Sequence, residues 1–174
     1  MKQNPKHSHA MAYLRQLCCS GLDKETVIPE FLRTVQAVIP SGSNVFTGFD
    51  EQFENLSYML EFSIPDLAES TPEILSGFFT PECKSRFYGL LRQHTVLADA
   101  TLLDKKFYQS DMYNMLYRPY DQHYGLWGVV TQRGKPVGLL NLFRPRTHQP
   151  FNTREQTLCK QLLPYLAHAL AGGG

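Results

Sequence analysis

The sequence has 174 residues, 43% of them hydrophobic, and its 17 basic and 16 acidic side chains leave a formal net charge of +1. This length allows one domain with a substantial core, and the near-balanced charge gives no electrostatic sign of binding to a phosphate backbone. The sequence also has no apolar run near the roughly 18 residues of a membrane span, and it does not start with a signal peptide, so we expect a cytoplasmic protein without a membrane partner.

The first predicted elements are two helices. Residues 1–8 are polar and are expected to form a disordered N-terminus, with order beginning near Ala10. Apolar residues then recur at helical spacing over 11–19, and Gly21 is a typical helix stop. The same spacing predicts a second helix over about 24–38.

A first hairpin and a pair of helix starts follow. Two alternating stretches, 44–49 and 56–62, predict antiparallel strands around an acidic turn. Thr-Pro-Glu then occurs at 71–73 and again at 80–82, and each copy is typical of a helix start because threonine caps and proline fits the first helical position. The stretch around 97–103 is ambiguous.

The next helix is aromatic and rich in methionine. Ser110 is placed to cap it, and Pro119 should end it. Its apolar residues are Met112, Tyr113, Leu116 and Tyr117.

A second hairpin is predicted from two β-rich runs, 124–131 and 136–143, joined by a turn at Arg133-Gly134. This turn would place Gly128 opposite Leu139 and Gly138 opposite Val129. Each glycine thins the sheet, so something must approach closely there. A packed helix is the favoured explanation, and a ligand lying against bare backbone is the alternative.

The last predicted helix starts at Thr153, which has capping-box spacing with Gln156. It carries more apolar residues than one helix face needs, which implies a second buried surface. We therefore predict a homodimer interface at Leu158, Leu162, Leu166 and Leu170. Residues 172–174 are expected to be a linker or an artificial end.

This order of elements predicts an α+β domain, with an antiparallel sheet flanked by helices. The runs 107–114, 118–119, 138–145, 150–151 and 162–170 resemble the N-terminal sensor region of LuxR-type bacterial transcription regulators. The resemblance implies a GAF/PAS-like sensor domain over 9–171, with the N- and C-terminal helices forming a dimer interface. It also implies a DNA-binding helix-turn-helix, which is absent from this chain, so DNA binding is expected only of a longer parent protein.

No catalytic or cofactor motif stands out. The sequence lacks a Gly-x-Ser-x-Gly elbow, a Gly-rich phosphate loop, a His-Glu-x-x-His helix, a Gly-x-Gly-x-x-Gly fingerprint and the cysteine setting of a bilin-linked photoreceptor. His94 and His123 could each ligate haem, but a lone histidine without a second signature is weak evidence. We therefore expect no enzyme activity and no cofactor.

The four cysteines, Cys18, Cys19, Cys83 and Cys159, show neither zinc-site nor disulfide spacing, so no metal site is predicted. Cys83 would occupy the third position of its helix, where the dipole lowers a thiol pKa, but Glu82 opposes that effect. An ordinary half-buried cysteine is favoured over a redox sensor.

Candidate ligand-binding residues follow from side-chain chemistry. Large apolar side chains with polar tips suit a site that buries and orients an organic molecule, although each is more commonly plain core. Asn141 would share a strand face with Leu139 and Phe143, and structural satisfaction by neighbouring backbone is favoured over ligand recognition. The predicted set is Tyr88, Tyr113, Tyr117, Trp127, Gly128, Gly138 and Asn141.

The function predicted from these features is that of a dimerising regulatory domain that binds an unidentified small molecule. A stand-alone ligand-binding or purely structural dimerisation module is the alternative, and a small enzyme is the third. An enzyme would need a paired acid and base, and no such pair can be identified in the sequence.

Overall fold

A computed structural model of the protein describes residues 5–50, 56–62, 80–98 and 105–172. Its elements are, in chain order, α1 (Pro5–Cys18), α2 (Lys24–Thr34), β1 (Asn44–Phe49), β2 (Leu56–Phe62), α3 (Pro81–Gln93), β3 (Val96–Ala98), β4 (Tyr124–Gln132), β5 (Lys135–Arg144) and α4 (Thr153–Gly172). Short helical turns at Lys105–Gln109, Tyr113–Tyr117 and Arg118–Tyr120 form what we call the 105–120 segment.

The strands form one antiparallel sheet in the order β2-β1-β5-β4-β3. β5 is the middle strand, between β1 from the first hairpin and β4 from its own hairpin. The predicted α+β class is therefore confirmed. The 44–49 and 56–62 strands have the predicted bounds, although the turn between them lies outside the described residues.

One face of the sheet, which we call the helix-covered face, packs against α2 and α4, and α1 packs in turn on those two helices. Side chains on alternate strand positions point to this face. The core between the layers includes Phe31 of α2, Phe46 of β1, Leu140 of β5 and Leu166 of α4. Burial of such side chains is the main term that stabilises the fold, at about 1.5–3 kcal/mol each.

The opposite face, which we call the aromatic face, carries a second apolar cluster. Its buried members are Val45, Phe49, Leu91, Leu97, Trp127, Val129, Leu139 and Phe143. Leu91 comes from α3, so this helix lies over part of the aromatic face. The sheet therefore separates a helix-packed core from a smaller cluster rich in rings.

The register of the second hairpin differs from the prediction by one residue. The turn is as predicted, with Gln132 opposite Lys135 and positive φ angles of 51° at Arg133 and 76° at Gly134. Beyond the turn the ladder has a bulge, so Gly128 lies opposite Leu140 and Gly138 opposite Val130. Pro136 lies at this bulge and has no amide hydrogen to donate to a regular ladder.

The N-terminal helix starts earlier than predicted. α1 begins at Pro5, so residues 5–8, which were expected to be disordered, are helical. His7 is half-buried and continues the stripe of Met11, Leu14 and Cys18 at spacings of three and four. Its polar character concealed this continuation.

The cap of α4 is shifted by one residue from the predicted Thr153 and Gln156 pair. The Asn152 side chain accepts a hydrogen bond from the Glu155 amide at 2.9 Å, and Glu155 accepts one from the Asn152 amide at 3.0 Å. This reciprocal pair is a capping box with asparagine in the place of serine or threonine.

Two further helix predictions are settled in part. α3 starts directly after Thr80, as the second Thr-Pro-Glu copy predicts, whereas the first copy lies outside the described residues. Ser110 accepts a hydrogen bond from the Tyr113 amide at 3.2 Å, so it caps the next helix as predicted. That helix ends at Tyr117, before Pro119 as predicted, and a separate 3-10 turn at Arg118–Tyr120 carries the proline in its first turn, where proline is tolerated.

The predicted dimer interface needs a correction. Leu162 and Leu166 are 0% exposed and belong to the core of the single chain. Leu158 and Leu170 are half-buried against the same core. The apolar excess of α4 arises because this helix meets both the sheet and the helices α1 and α2.

Candidate functional site

The candidate site is built on the aromatic face, where three strands bring their side chains together. Asn141 of β5 lies directly between Val45 of β1 and Trp127 of β4. Trp127 is paired in turn with Leu97 of β3. Because successive residues alternate between faces, Leu139 and Phe143 flank Asn141 on the same side.

Asn141 is the chemically unusual member of this face. It is 8% exposed, and its Oδ1 is buried without a hydrogen-bond partner among the residues that the structure describes. Leaving a buried acceptor unpaired costs about 1–3 kcal/mol. Such a cost is typical of sites where a bound molecule supplies the missing partner.

The rings beside Asn141 meet edge to face. The six-membered ring of Trp127 covers Gly125, where an added Cβ would come within 2.2 Å of it. Trp127 and Phe143 have ring centroids 5.9 Å apart at an interplanar angle of 89°. Tyr117 from the 105–120 segment meets the other side of Phe143 at 5.8 Å. Gly125 thus allows the indole to lie flat on the sheet next to Asn141.

α3 adds a second aromatic contact at the β1 end of the face. Tyr88 packs against the cluster and meets Phe49 at 6.1 Å in an edge-to-face arrangement. Tyr88 is half-buried, so part of this residue stays accessible. Rings at both ends of the face surround the buried amide with apolar area.

Tyr113 lies one layer further out, within an aromatic group of the 105–120 segment. Its hydroxyl is hydrogen-bonded to Nδ1 of His123 at 2.7 Å. The His123 ring stacks on Tyr108, with centroids 4.4 Å apart. Burial raises the pKa of Tyr113 above its usual value, so its hydroxyl keeps its proton at neutral pH. Phe107 connects this group to the face, because its ring meets both Tyr113 and Tyr117.

A continuous set of contacts runs from this aromatic group to the start of α4. The His123 amide donates to the carbonyl of Arg144 at 2.9 Å. The Arg144 guanidinium forms a buried ion pair with Glu155 and lies over the ring of Phe151, with Cζ 4.1 Å from the centroid. Glu155 is also half of the capping box. The same residue therefore joins β5 to the first turn of the last helix.

Gly128 and Gly138 lie on the helix-covered face, not beside Asn141. An added Cβ on Gly128 would approach Leu163 Cδ2 at 2.9 Å and Cys159 Sγ at 3.1 Å, which is the helix-packing explanation. An added Cβ on Gly138 would lie 2.2 Å from Cζ of Phe46. Side chains of the protein itself occupy the space beside both glycines, so neither glycine belongs to the candidate site.

The thiols and histidines offer little chemistry. Burial raises the pKa of Cys18 and of Cys159 to about 12, so both stay protonated. His94 and His168 are exposed. No group of three His, Cys, Asp or Glu side chains within 5–50, 56–62, 80–98 and 105–172 could hold a metal ion. The side chain of Cys83 lies outside the described set, although the residue is the third of α3 as predicted.

The structure thus brings together Tyr88, Tyr117, Trp127 and Asn141 of the predicted residues and places Tyr113 just behind them. Three contributors were missed as site residues: Gly125, Phe107 and the Tyr108–His123 pair. The spacing of Gly125 and Trp127 along one strand face was a usable signal for the first. The 105–120 segment has no regular period, so sequence spacing could not bring its rings together.

Comparison with known proteins identifies the fold. No protein-family model matches the chain, and no curated protein sequence matches it significantly. The structure is similar to the VqsR LBD domain from Pseudomonas aeruginosa, with a TM-score of 0.61 and 14% identity over 98% of this chain and 97% of that one. It is also similar to the N-acylhomoserine lactone dependent LuxR family transcription factor CepR2 from Burkholderia cenocepacia, with a TM-score of 0.64 and 11% identity over 97% and 94%.

A GAF domain/HD domain protein from Geobacter sulfurreducens matches as well, with a TM-score of 0.55 and 16% identity over 86% of this chain and 93% of that one. The fold is therefore GAF-like, as the resemblance to LuxR-type sensor regions implied. No helix among the described residues is long and apolar enough to cross a membrane.

Proposed function

We propose that this chain is a signal-input domain that binds a small organic molecule on the aromatic face and passes its occupancy to α4. The observation that carries the proposal is Asn141, a buried amide whose oxygen lacks a partner among the described residues, set between apolar rings. Its environment combines a large apolar area with one polar group, which is the composition of small-molecule sites in proteins. The GAF-like fold of sensor domains is consistent with this role.

Plain core packing is the main competing explanation for the rings. A purely structural position favours an apolar residue, because a buried unpaired amide oxygen destabilises the fold. Asn44 has such an oxygen as well, but its Nδ2 donates to the Leu32 carbonyl and to Ser41 Oγ, which gives that side chain a structural role. Asn141 is at the centre of the middle strand, where leucine or valine would pack better. The ligand proposal accounts for the amide, and the packing explanation does not.

The route to α4 supports a regulatory role. A molecule that displaces the 105–120 segment would act on His123 and through it on the Arg144–Glu155 pair. α4 also follows β4 closely, since Leu163 and Cys159 rest on Gly128 and the Gln132 side chain donates to the Ala167 carbonyl at 2.9 Å. Movement of the hairpin would therefore be transmitted to two points of the helix. In LuxR-type regulators such a helix would lead to a DNA-binding domain.

A thermal-shift screen of uncharged aromatic and medium-chain aliphatic molecules tests the proposal. Trp127 is the only tryptophan of the chain, so a ligand on the aromatic face should raise the melting temperature and also change the tryptophan emission. The variant Trp127→Phe removes the optical signal together with part of the apolar surface next to Asn141, so its thermal shift should be smaller than that of the wild type. Hits that stabilise the protein without any response of Trp127 would place binding elsewhere, and a screen without stabilising molecules would contradict the proposal.

We infer that the chain binds and does not catalyse. The buried thiols stay protonated, so they are poor nucleophiles. The hydrogen bond between the Tyr113 hydroxyl and the His123 imidazole has a structural role, because it holds the 105–120 segment against the strand that follows. A turnover assay on any ligand found in the screen decides the point, because a catalyst would convert the molecule and a sensor would return it unchanged.

We propose dimerisation separately. Because Leu162 and Leu166 are buried inside the single chain, the interface would use residues of α1 and α4 that face away from the sheet. Leu158 and Tyr165 form one edge of α4, and the Arg15 guanidinium of α1 lies over the Tyr165 ring at 5.6 Å. The middle of the outward surface of α4 is polar, with exposed residues such as Lys160, Gln161 and His168. An interface there would therefore be an apolar stripe with a polar border.

A further inference from the structure

We propose that the ligand of the aromatic face is an uncharged molecule with a flat apolar body and a hydrogen-bond donor, such as a hydroxyl or an N–H, that bonds to Oδ1 of Asn141. This inference rests on the proposed function and specifies its chemistry. It follows from what the site lacks and from what the neighbouring residues can supply.

The donor requirement comes from the acceptor. Asn141 Oδ1 is buried and has no donor within reach among the described residues. A ligand donor would satisfy it, whereas a ligand offering only an ether or carbonyl oxygen could accept from Nδ2 of the same amide but would leave Oδ1 unpaired. A site that hydrogen-bonds one group of its ligand discriminates strongly against analogues without that group, because its own buried polar atom is then left unpaired.

The position of the Asn141 side chain is fixed by the strand that carries it. Asn141 lies on a strand hydrogen-bonded on both sides, to β1 through its pairing with Val45 and to β4 through its pairing with Trp127. Its backbone cannot move to find another partner without breaking two ladders. The acceptor is therefore preorganised, which lowers the cost of binding.

The flat shape comes from the rings. Trp127 lies flat over Gly125, and Phe143 stands perpendicular to it at 89°. Tyr117 closes the far side of Phe143. A planar molecule can stack against such faces and edges with its donor at the Asn141 side, in arrangements worth about 0.5–1.5 kcal/mol per aromatic pair.

The uncharged character comes from the lack of a buried counter-ion on this face among the residues that the structure describes. Within the described ranges, the buried charged side chains are Arg144 and Glu155, which pair with each other on the helix-covered side. The polar side chains buried on the aromatic face, Thr47 and Asn141, are themselves uncharged. A charged ligand would have to lose its hydration there without an ion partner, which is strongly unfavourable.

The test compares 2-naphthol with 2-methoxynaphthalene by isothermal titration calorimetry. The two molecules share a flat apolar body, and only naphthol can donate. We expect naphthol to bind the wild-type chain about five- to tenfold more tightly, as one neutral hydrogen bond allows. In Asn141→Leu the two affinities should agree within about twofold. The matched control Asn114→Leu, which changes an exposed asparagine, should keep the wild-type ratio.

A third probe tests the charge. The ammonium of 2-(aminomethyl)naphthalene is a donor with a positive charge, and we expect it to bind at least about tenfold more weakly than naphthol. Tighter binding of this amine would overturn the uncharged class.

The outcomes separate the two proposals. Equal affinity of naphthol and its methyl ether for the wild-type chain, or an unchanged preference in Asn141→Leu, would overturn the donor inference and leave the sensor proposal standing, because a molecule still binds. Binding of neither probe, with no response of Trp127, would count against both. The comparison on the wild-type chain needs no variant, so it remains decisive if Asn141→Leu fails to fold.

Discussion

At the scale of single residues, Asn141 shows how a local cost can point to function. Its burial on the middle strand leaves an oxygen without a partner among the described residues. Side-chain alternation along β5 predicted its face correctly, together with Leu139 and Phe143. Whether its amide finds a partner depends on three-dimensional neighbours, which no pattern in the sequence specifies.

Asn141→Leu should therefore make the ligand-free protein more stable. Replacing the unpaired amide by an apolar group of similar size removes the desolvation cost, and we expect a gain of about 1–2 kcal/mol in the free energy of unfolding. Urea unfolding followed by circular dichroism measures it. A loss of stability larger than about 1 kcal/mol would mean that the amide has a structural role.

Gly138, which faces the helix-covered core, allows a stability prediction, and Gly89 provides a control for which the expected change has the opposite sign. Gly138→Ala places a methyl group against the Phe46 ring, and we expect a loss of about 1–3 kcal/mol. Gly89→Ala lies in helix α3, where the new methyl group meets no described atom within 4 Å beyond its chain neighbours and the backbone of its own helix, so this variant should gain about 0.5–1 kcal/mol. Thermal unfolding of both variants tests the pair. A Gly138→Ala protein as stable as the wild type would show that Phe46 has room to move.

The buried thiols predict a dependence on pH. The folded pKa values of Cys18 and Cys159 are raised to about 12 from 9.0, so the folded state holds their protons more tightly than the unfolded state does. Their contribution to stability is constant below pH 9.0 and falls as the pH rises towards 12. In the native protein at pH 8, iodoacetamide should modify the exposed Cys19 and spare Cys18 and Cys159, as read by peptide mass spectrometry. Rapid modification of Cys159 would contradict its burial.

At the scale of secondary structure elements, sequence patterns predicted the strands of both hairpins and missed their irregularities. The bounds of β1 and β2 and the turn at 133–134 follow from alternation and turn chemistry. The bulge beyond that turn does not, because it depends on how Pro136 sits against β4. The capping box at Asn152 and Glu155 was missed by one residue, since Thr153 and Gln156 offer the same spacing.

The junction between β5 and α4 depends on one buried ion pair. Arg144 donates to Glu155 and to the carbonyls of Pro40, Gln149 and Pro150. Removing either charge leaves the other buried, so Arg144→Met and Glu155→Gln should each cost about 3–5 kcal/mol. The double variant should be less destabilised than the sum of the two. Urea unfolding of the four proteins completes the cycle, and strict additivity would show that the pair contributes no coupling.

At the scale of the whole molecule, the sequence correctly indicated an excess of apolar surface on α4. We assigned that surface to a dimer interface, whereas it lies in the core of the single chain. Leu162 and Leu166 fill the core because α4 has the sheet on one side and α1 and α2 on another. A helix packed between two layers needs a wide apolar stripe, which in a one-dimensional pattern is the same as a dimer seam. The GAF-like arrangement itself was anticipated from family resemblance, not from periodicity.

The dimer proposal is tested by the mass in solution. We expect size-exclusion light scattering to give twice the 19.9 kDa of one chain for the wild type. Leu158→Glu should shift the mass to that of one chain, because it places a charge on the proposed stripe. Thr157→Glu, one position away on the exposed side, should leave the mass unchanged. A wild-type chain that is already monomeric would end the proposal.

The strand order has a consequence for how the chain folds during synthesis. β1 lies beside β5, and the Arg144 guanidinium reaches the Pro40 carbonyl across 104 positions of sequence. At about 5–20 residues per second, the ribosome completes β5 about 4–16 s after the first hairpin. During that interval the edge of β1 that later pairs with β5 has no strand beside it. Its unpaired backbone groups can then form hydrogen bonds with a strand of another nascent chain, which would lead to aggregation.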